Sequence, residues 1–252
     1  MKQSGLTLYC LPYAGGRAAA YRSWIPDLSG TARVRPLELP GHGERRAEAL
    51  LADKDTLVKD IADRIRGEQP GRYALFGHSL GALLAFEAAH ALAGPAGPRA
   101  LLVSGRNGPA LPHPVAPVHR LPTDELLRHL YTLGGVPREL LNTPEVTDLF
   151  LPAIRADLKI AEDYERPGVG PLDCPVWAAA GDDDPLADPV GLRAWAGETN
   201  AGFTMTTVPG GHMPLHQPAF VAEIRAFLWR LTSLRPRHRV AEGNGAGGDL
   251  TP

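Results

Sequence analysis

The stretch LFGHSLGALLAFEAA, residues 75–89, joins an apolar β-rich run to a helix of small residues through Gly77-His78-Ser79-Leu80-Gly81. Serine forms strands poorly and helices only moderately well, so its place between the two elements needs a local cause. A turn this abrupt has no room for Cβ atoms at its flanks, which accounts for a glycine on either side. The geometry drives Ser79 into a strained conformation and presents its hydroxyl at the tip. Directly behind it a helix begins, and the N–H of Leu80, first in that helix, has no helical acceptor. A serine displayed in this way is a candidate nucleophile.

The strand–turn–helix reading extends along the chain. Short β-rich runs recur at residues 6–10, 33–39, 72–76, 99–104, 175–180 and 203–208, each followed by turn residues and then a helical pattern. In residues 55–66, for example, Leu57, Ile61 and Ile65 stack at i, i+4 and i+8 on one helix face. Strands alternating with helices imply an α/β fold with a mostly parallel, doubly wound sheet. Ligand sites in such sheets lie beyond the carboxyl ends of the strands, so the loops after the strands hold the chemistry. One interval is too long for this rhythm, with 70 residues from Gly105 to Cys174. Its middle is helical, and Val146, Phe150, Ile154, Leu158 and Ala161 share one apolar face. A helical lid inserted at about 113–168 explains the length and the Pro- and Gly-rich flanks; two added core helices are the plainer alternative. The expected organisation is a single domain over 1–234 and a disordered tail over 235–252, where periodicity ends.

Composition narrows the partners. The 252 residues carry a net charge of −2 with 21% charged and 44% hydrophobic residues, which is ordinary for a soluble globular enzyme and gives no footing for nucleic acid. No apolar run is long enough for a signal peptide or a membrane helix, so a cytoplasmic location is expected. The two cysteines, Cys10 and Cys174, match no metal motif and lie in or beside buried strands.

A nucleophilic serine needs a base, and the base needs a carboxylate to orient it. Of the nine histidines, His212 in TTVPGGHMPLHQP sits just past the last strand with flexible glycines before it. His216 follows four residues later, but Pro214 prevents the helix that would pair the two as metal ligands, and no metal site is expected. His78 is read as a packing residue pointing away from the turn, and His42 as structural or at the site rim. His113, His119 and His129 are assigned surface roles in or near the lid. The orienting acid should follow the strand at 175–180, where Gly181 precedes Asp182, Asp183, Asp184 and Pro185. Asp184, presented by a proline-stiffened turn, is the candidate; Asp182 and Asp183 read as solvated loop charges. The glycine-rich loop LPYAGG, residues 11–16, follows the first strand and could supply a second oxyanion donor. Ala14 is the candidate there, Tyr13 the next, and a plain β-to-α turn the alternative.

Taken together, LPYAGGRAAAYRSW, LPGHGERR, LFGHSLGALLAFEAA, SGRNGP, LPAIRADLKIAEDY, GDDDPL and PGGHMPL resemble the type II thioesterases of modular polyketide and non-ribosomal peptide biosynthesis, from about residue 6 to 230. The resemblance implies an α/β-hydrolase fold and an editing enzyme that removes stalled or wrong acyl groups from the phosphopantetheine arm of an acyl or peptidyl carrier protein. It implies a triad at Ser79, Asp184 and His212, carbonyl-activating amides at Leu80 and Ala14, no cofactor, and a monomer. The family loop commonly reads Pro-Gly-Arg where this chain has Gly41-His42-Gly43. The lid face of Phe150, Ile154 and Leu158 is expected to wall the acyl chamber. The same triad would serve a general carboxylesterase, and a carrier-binding module without catalysis is a further alternative.

Overall fold

The computed structural model describes residues 5–136 and 143–233. Six strands form one sheet: β1 (Leu6–Leu11), β2 (Arg33–Pro36), β3 (Arg72–His78), β4 (Leu101–Ser104), β5 (Val176–Gly181) and β6 (Phe203–Val208). Their order is β2-β1-β3-β4-β5-β6, and every adjacent pair is parallel. All six coincide with runs expected from the sequence. The second is shorter than expected, ending at Pro36, because the chain then turns into the protein. Leu37 and Leu39 enter the core there, while the buried Glu38 carboxylate accepts the Ala18 N–H at 2.9 Å.

The strands read as continuous apolar runs because both faces of the sheet are covered. Successive side chains alternate between two cores. Leu8, Cys10, Phe76 and Trp177 pack on one side with Trp24 of the helical turn α1 (Trp24–Asp27) and Phe220 of α7 (Pro218–Ser233). Tyr9, Leu11, Leu75 and Val103 pack on the other, beneath α2 (Lys54–Gly67) and α3 (Leu80–Ala91). Helix α2 starts where the Asp53 carboxylate accepts the Thr56 N–H, and it buries Leu57, Ile61, Ala62 and Ile65. Helix α3 buries every residue from Leu80 to Ala89, as its all-round apolar sequence requires.

Strand β1 lies between β2 and β3, so the winding direction reverses there, and the crevice of the fold opens at the carboxyl ends of β1 and β3. The long interval between β4 and β5 holds α4 (Thr123–Thr132) and α5 (Pro144–Glu162), with the short α6 (Pro189–Arg193) following β5. Leu126 and Leu130 of α4 and Ile154 of α5 form a small separate core, flanked by Phe150 and Leu158. Ile160 and Ala161, further along α5, join the main core instead. The insertion is thus one helix pair with its own apolar seam, docked by the last turns of α5. The side chain of Val146 on the expected face, residues 137–142 and the expected tail at 235–252 lie outside what the structure describes.

Space is tightest where α3 meets the end of β1. A Cβ on Gly81 would stand 2.4 Å from the Leu11 carbonyl oxygen and 2.6 Å from that of Pro12, whereas one on Gly67, at the end of α2, would meet nothing within 4 Å. Gly81→Ala is therefore expected to lower the unfolding free energy by about 3 kcal/mol. Gly67→Ala should be neutral or add up to about 1 kcal/mol. Urea unfolding of both proteins checks this, and equal effects would refute the account of the packing.

Candidate active site

Ser79 takes φ 55° and ψ −115°, a region that costs a residue with a side chain of the order of 1–3 kcal/mol. Its neighbours enforce it. A Cβ on Gly77 would lie 1.9 Å from the Gly81 carbonyl oxygen, so strand and helix close on each other around the serine. The Ser79 N–H donates to the Ser104 carbonyl at 2.8 Å, which pins the turn to the end of β4. The first N–H of α3, that of Leu80, is open at the same place.

The candidate acid and base arrive on β5 and β6. The loops after β5 and β6 touch: a Cβ on Gly181 would sit 2.0 Å from the Gly210 carbonyl oxygen. They are stitched by Asp182 N–H to Val208 O at 2.8 Å, Asp183 N–H to Gly210 O at 3.0 Å, and Gly210 N–H to Asp182 Oδ1 at 2.7 Å. Of the three consecutive carboxylates only Asp184 is buried, at 7% exposure, and His212 is buried at 6%. His212 Nδ1 lies 3.0 Å from both Asp184 oxygens, and Asp184 Oδ1 also accepts the Leu186 N–H at 2.8 Å. Nδ1 therefore carries the proton that it donates to Asp184. The serine turn borders this pair through Gly105, where a Cβ would meet His78 Cε1 at 2.4 Å and His212 Cε1 at 3.1 Å. No hydrogen bond joins the Ser79 hydroxyl to His212 among the described residues; in unliganded enzymes such bonds are commonly long and tighten around substrate.

His78 does not point away, as its sequence position suggested. It is fully buried, its ring centroid is 4.9 Å from that of His212, and its Nδ1 lies 3.1 Å from Ser104 Oγ. Burial, with the His212 charge adding to it, holds its imidazole well below the ordinary histidine value. His78 is thus a neutral wall against which His212 rests. His119, expected at the surface, is buried as well and pairs through Nδ1 with Glu162. Arg106, just beyond β4, is 5% exposed; no acceptor meets its guanidinium among the described residues, and burial pulls its pKa down to about 10.

The loop after β1 supplies the remaining backbone. Gly16 N–H is taken by the Tyr13 carbonyl at 2.8 Å and Gly15 N–H by Asp157 Oδ2 at 2.8 Å. Among the described residues the N–H groups of Tyr13 and Ala14 have no acceptor, so Ala14 keeps its candidacy and the two glycine amides are excluded. Asp157, on α5, lies in the RAD of the LPAIRADLKIAEDY segment but is given no role from the sequence. It stands three residues after Ile154, beside the apolar face and not opposite it, and an acid so placed was the available signal. His42, expected to be structural or at the site rim, is buried and bonded to the same carboxylate. Of the lid candidates, Ile154 lies against Gly15, and Phe150 borders a cavity of about 900 Å³ lined also by Arg17, Glu38 and His42. Leu158 stays in the seam with α4. Among the described residues no group of three or more His, Cys, Asp or Glu side chains could hold a metal ion, and no helix is long and apolar enough to cross a membrane.

Comparison with known proteins gives the arrangement a family. The model of the thioesterase domain matches residues 6–228. Thioesterase PikA5 of Streptomyces venezuelae is 37% identical over 216 residues, 84% of this chain and 76% of that protein. RedJ, a thioesterase from the prodiginine biosynthetic pathway of Streptomyces coelicolor, superimposes with a TM-score of 0.82 at 36% identity, covering 90% of this chain and 86% of its own. BorB, the type II thioesterase of the borrelidin biosynthetic cluster, gives 0.79 at 38% identity, covering 88% and 92%. The chain belongs to the thioesterase family: it is an α/β-hydrolase that acts on thioesters and is similar to the type II thioesterases of biosynthetic clusters.

Proposed function

We propose that this thioesterase releases aberrant or stalled acyl groups from the phosphopantetheine arm of an acyl or peptidyl carrier protein, with Ser79 as nucleophile, His212 as base and Asp184 as its orienting acid. The observation that carries this reading is the buried Asp184–His212 pair, held at 3.0 Å beside a serine in a forbidden backbone region. The place of RedJ in the prodiginine biosynthetic pathway and of BorB in the borrelidin biosynthetic cluster supports the choice of a carrier-bound substrate.

Chemistry follows from the proton positions. His212 Nε2 takes the Ser79 proton as the hydroxyl attacks the thioester carbonyl, while Asp184 stabilises the imidazolium. The amides of Leu80 and Ala14 receive the oxyanion, and one such donor is worth about 2.7–4 kcal/mol in other hydrolases. The tetrahedral adduct collapses and expels the pantetheine thiolate; with a thiol pKa near ~8.5 this group leaves more easily than an amine would. His212 then activates water against the acyl-enzyme, and the free acid departs. Phe150 and Ile154 are assigned to the side of the acyl chamber, where they set the chain length accepted, while Leu158 holds the lid helices together in the seam with α4.

Ser79→Ala should cut kcat by about 10⁴-fold or more without unfolding the protein. Turnover within tenfold of wild type would remove Ser79 from its role. Acetyl, propionyl and butyryl groups should be hydrolysed faster from a holo carrier protein than from a small-molecule thioester, and slowest from the matching oxygen ester. Fastest turnover on the oxygen ester would instead identify a general esterase. Phe150→Ala and Ile154→Ala should shift the preference toward longer chains, and an unchanged profile would take the lid out of substrate selection.

A further inference from the structure

The Asp157 carboxylate joins three parts of the molecule that are distant in sequence. It sits on α5 at 0% exposure. Its Oδ2 accepts the Gly15 N–H at 2.8 Å and faces His42 Nε2 at 2.9 Å, while His42 Nδ1 lies 3.0 Å from the Pro40 carbonyl oxygen. A carbonyl offers only lone pairs, and so does a carboxylate. Both ring nitrogens must then carry protons, which makes the pair an imidazolium and a carboxylate with side-chain exposures of 3% and 1%. One turn earlier on α5, Ile154 packs on the same glycine: a Cβ on Gly15 would stand 2.5 Å from Ile154 Cγ1.

These contacts fix a peptide plane. The Gly16 N–H holds the Tyr13 carbonyl, and because a trans peptide is rigid, the Ala14 N–H must point the opposite way. The turn that sets this direction has two ties: the Gly16 bond within the loop and the Gly15 bond from Asp157. We propose that Asp157, charged and oriented by His42, is a positioning residue that aims the Ala14 amide at the reacting carbonyl from the lid helix. The inference rests on Ala14 being an oxyanion donor. It makes α5 part of the catalytic frame and not a flap.

The test compares Asp157→Ala, Asp157→Asn and His42→Gln, using acyl-enzyme burst amplitude to count competent sites. Asp157→Ala should lower kcat per site by about 10- to 100-fold with KM within about twofold, because a misplaced donor harms the transition state and not substrate binding. A trifluoromethyl ketone, which becomes an oxyanion adduct on Ser79, should lose affinity in the same proportion. Asp157→Asn keeps an oxygen for Gly15 and should recover most of the loss. His42→Gln should give a smaller loss and serves as the deletion arm if Asp157→Ala does not fold. Unchanged kcat per site, or a rise in KM alone, overturns the positioning role. Either result leaves the Ser79 hydrolase reading intact, since that fails only if Ser79→Ala stays active.

A pH arm reads the ion pair itself. Burial works to lower the His42 pKa, but the hydrogen bond and charge of Asp157, the Pro40 carbonyl and the Glu38 charge outweigh it, and the value stands above the ordinary 6.5. Stability from this proton is complete below 6.5 and is lost as pH rises through the higher folded value. The gap in melting temperature between wild type and His42→Gln should therefore be widest near ~pH 6 and close in alkaline buffer. A gap that widens with pH would mean that His42 is neutral in the folded protein.

Discussion

The active site depends on one exclusion: between the end of β3, the start of α3 and the end of β1 there is no space for a side chain. Gly77 and Gly81 allow the three backbones to meet at distances where a Cβ would fall inside a carbonyl oxygen. That closeness forces Ser79 into its unfavourable conformation and sets the opening of α3 against the loop that follows β1. The strain is local and cannot relax, because relaxing it would part the helix from the sheet. A well-packed interior with both faces of the sheet covered offsets a cost of a few kcal/mol, and the serine stays exposed to chemistry as a result.

Around this point the site is built in two halves that meet edge to edge. Strands β1 and β3 bring Ser79, the proposed nucleophile, and the open amides, and β5 and β6 bring Asp184 and His212, its proposed acid and base. The second half is self-contained: the loops after β5 and β6 are bonded to each other through Asp182, Asp183 and Gly210, so acid and base are set relative to one another before they are set against the serine. Asp182 and Asp183 remain exposed; the Asp182 carboxylate accepts the Gly210 N–H and helps to close this loop pair, whereas Asp183 contributes only its backbone N–H. Neutral His78 fills the interface between the halves without adding a charge beside His212.

The sequence was most informative where a local pattern has one physical solution. Six β-rich runs, the Gly-x-Ser-x-Gly turn, and an acid and a histidine on loops after strands could each be read from neighbouring residues, and the structure brings Asp184 and His212 together from 28 positions apart. What escaped were pairings with no local trace. His42 and Asp157 are separated by 115 positions, and nothing in either segment points to the other as its partner. His119 stands in a Pro-rich stretch that resembles a surface loop, yet it is enclosed because Glu162 and Arg155, both on α5, hold its backbone. His78 was misjudged because facing directions at so tight a turn depend on the next strand, and Gly105 lets the ring come close to His212. Histidines that belong to tertiary pairs look the same in sequence as those on a surface.

The division of the site between early and late strands has a temporal side. During synthesis the chain can form the serine turn once β1, β3 and β4 have emerged, since Ser79 is tied to Ser104. Asp184 and His212 become a pair only after β6 has joined β5, late in the chain. A nascent chain therefore carries an exposed but unactivated hydroxyl through most of its time on the ribosome. An enzyme whose task is to cut acyl thioesters would thus be harmless to its partners until its own folding is complete.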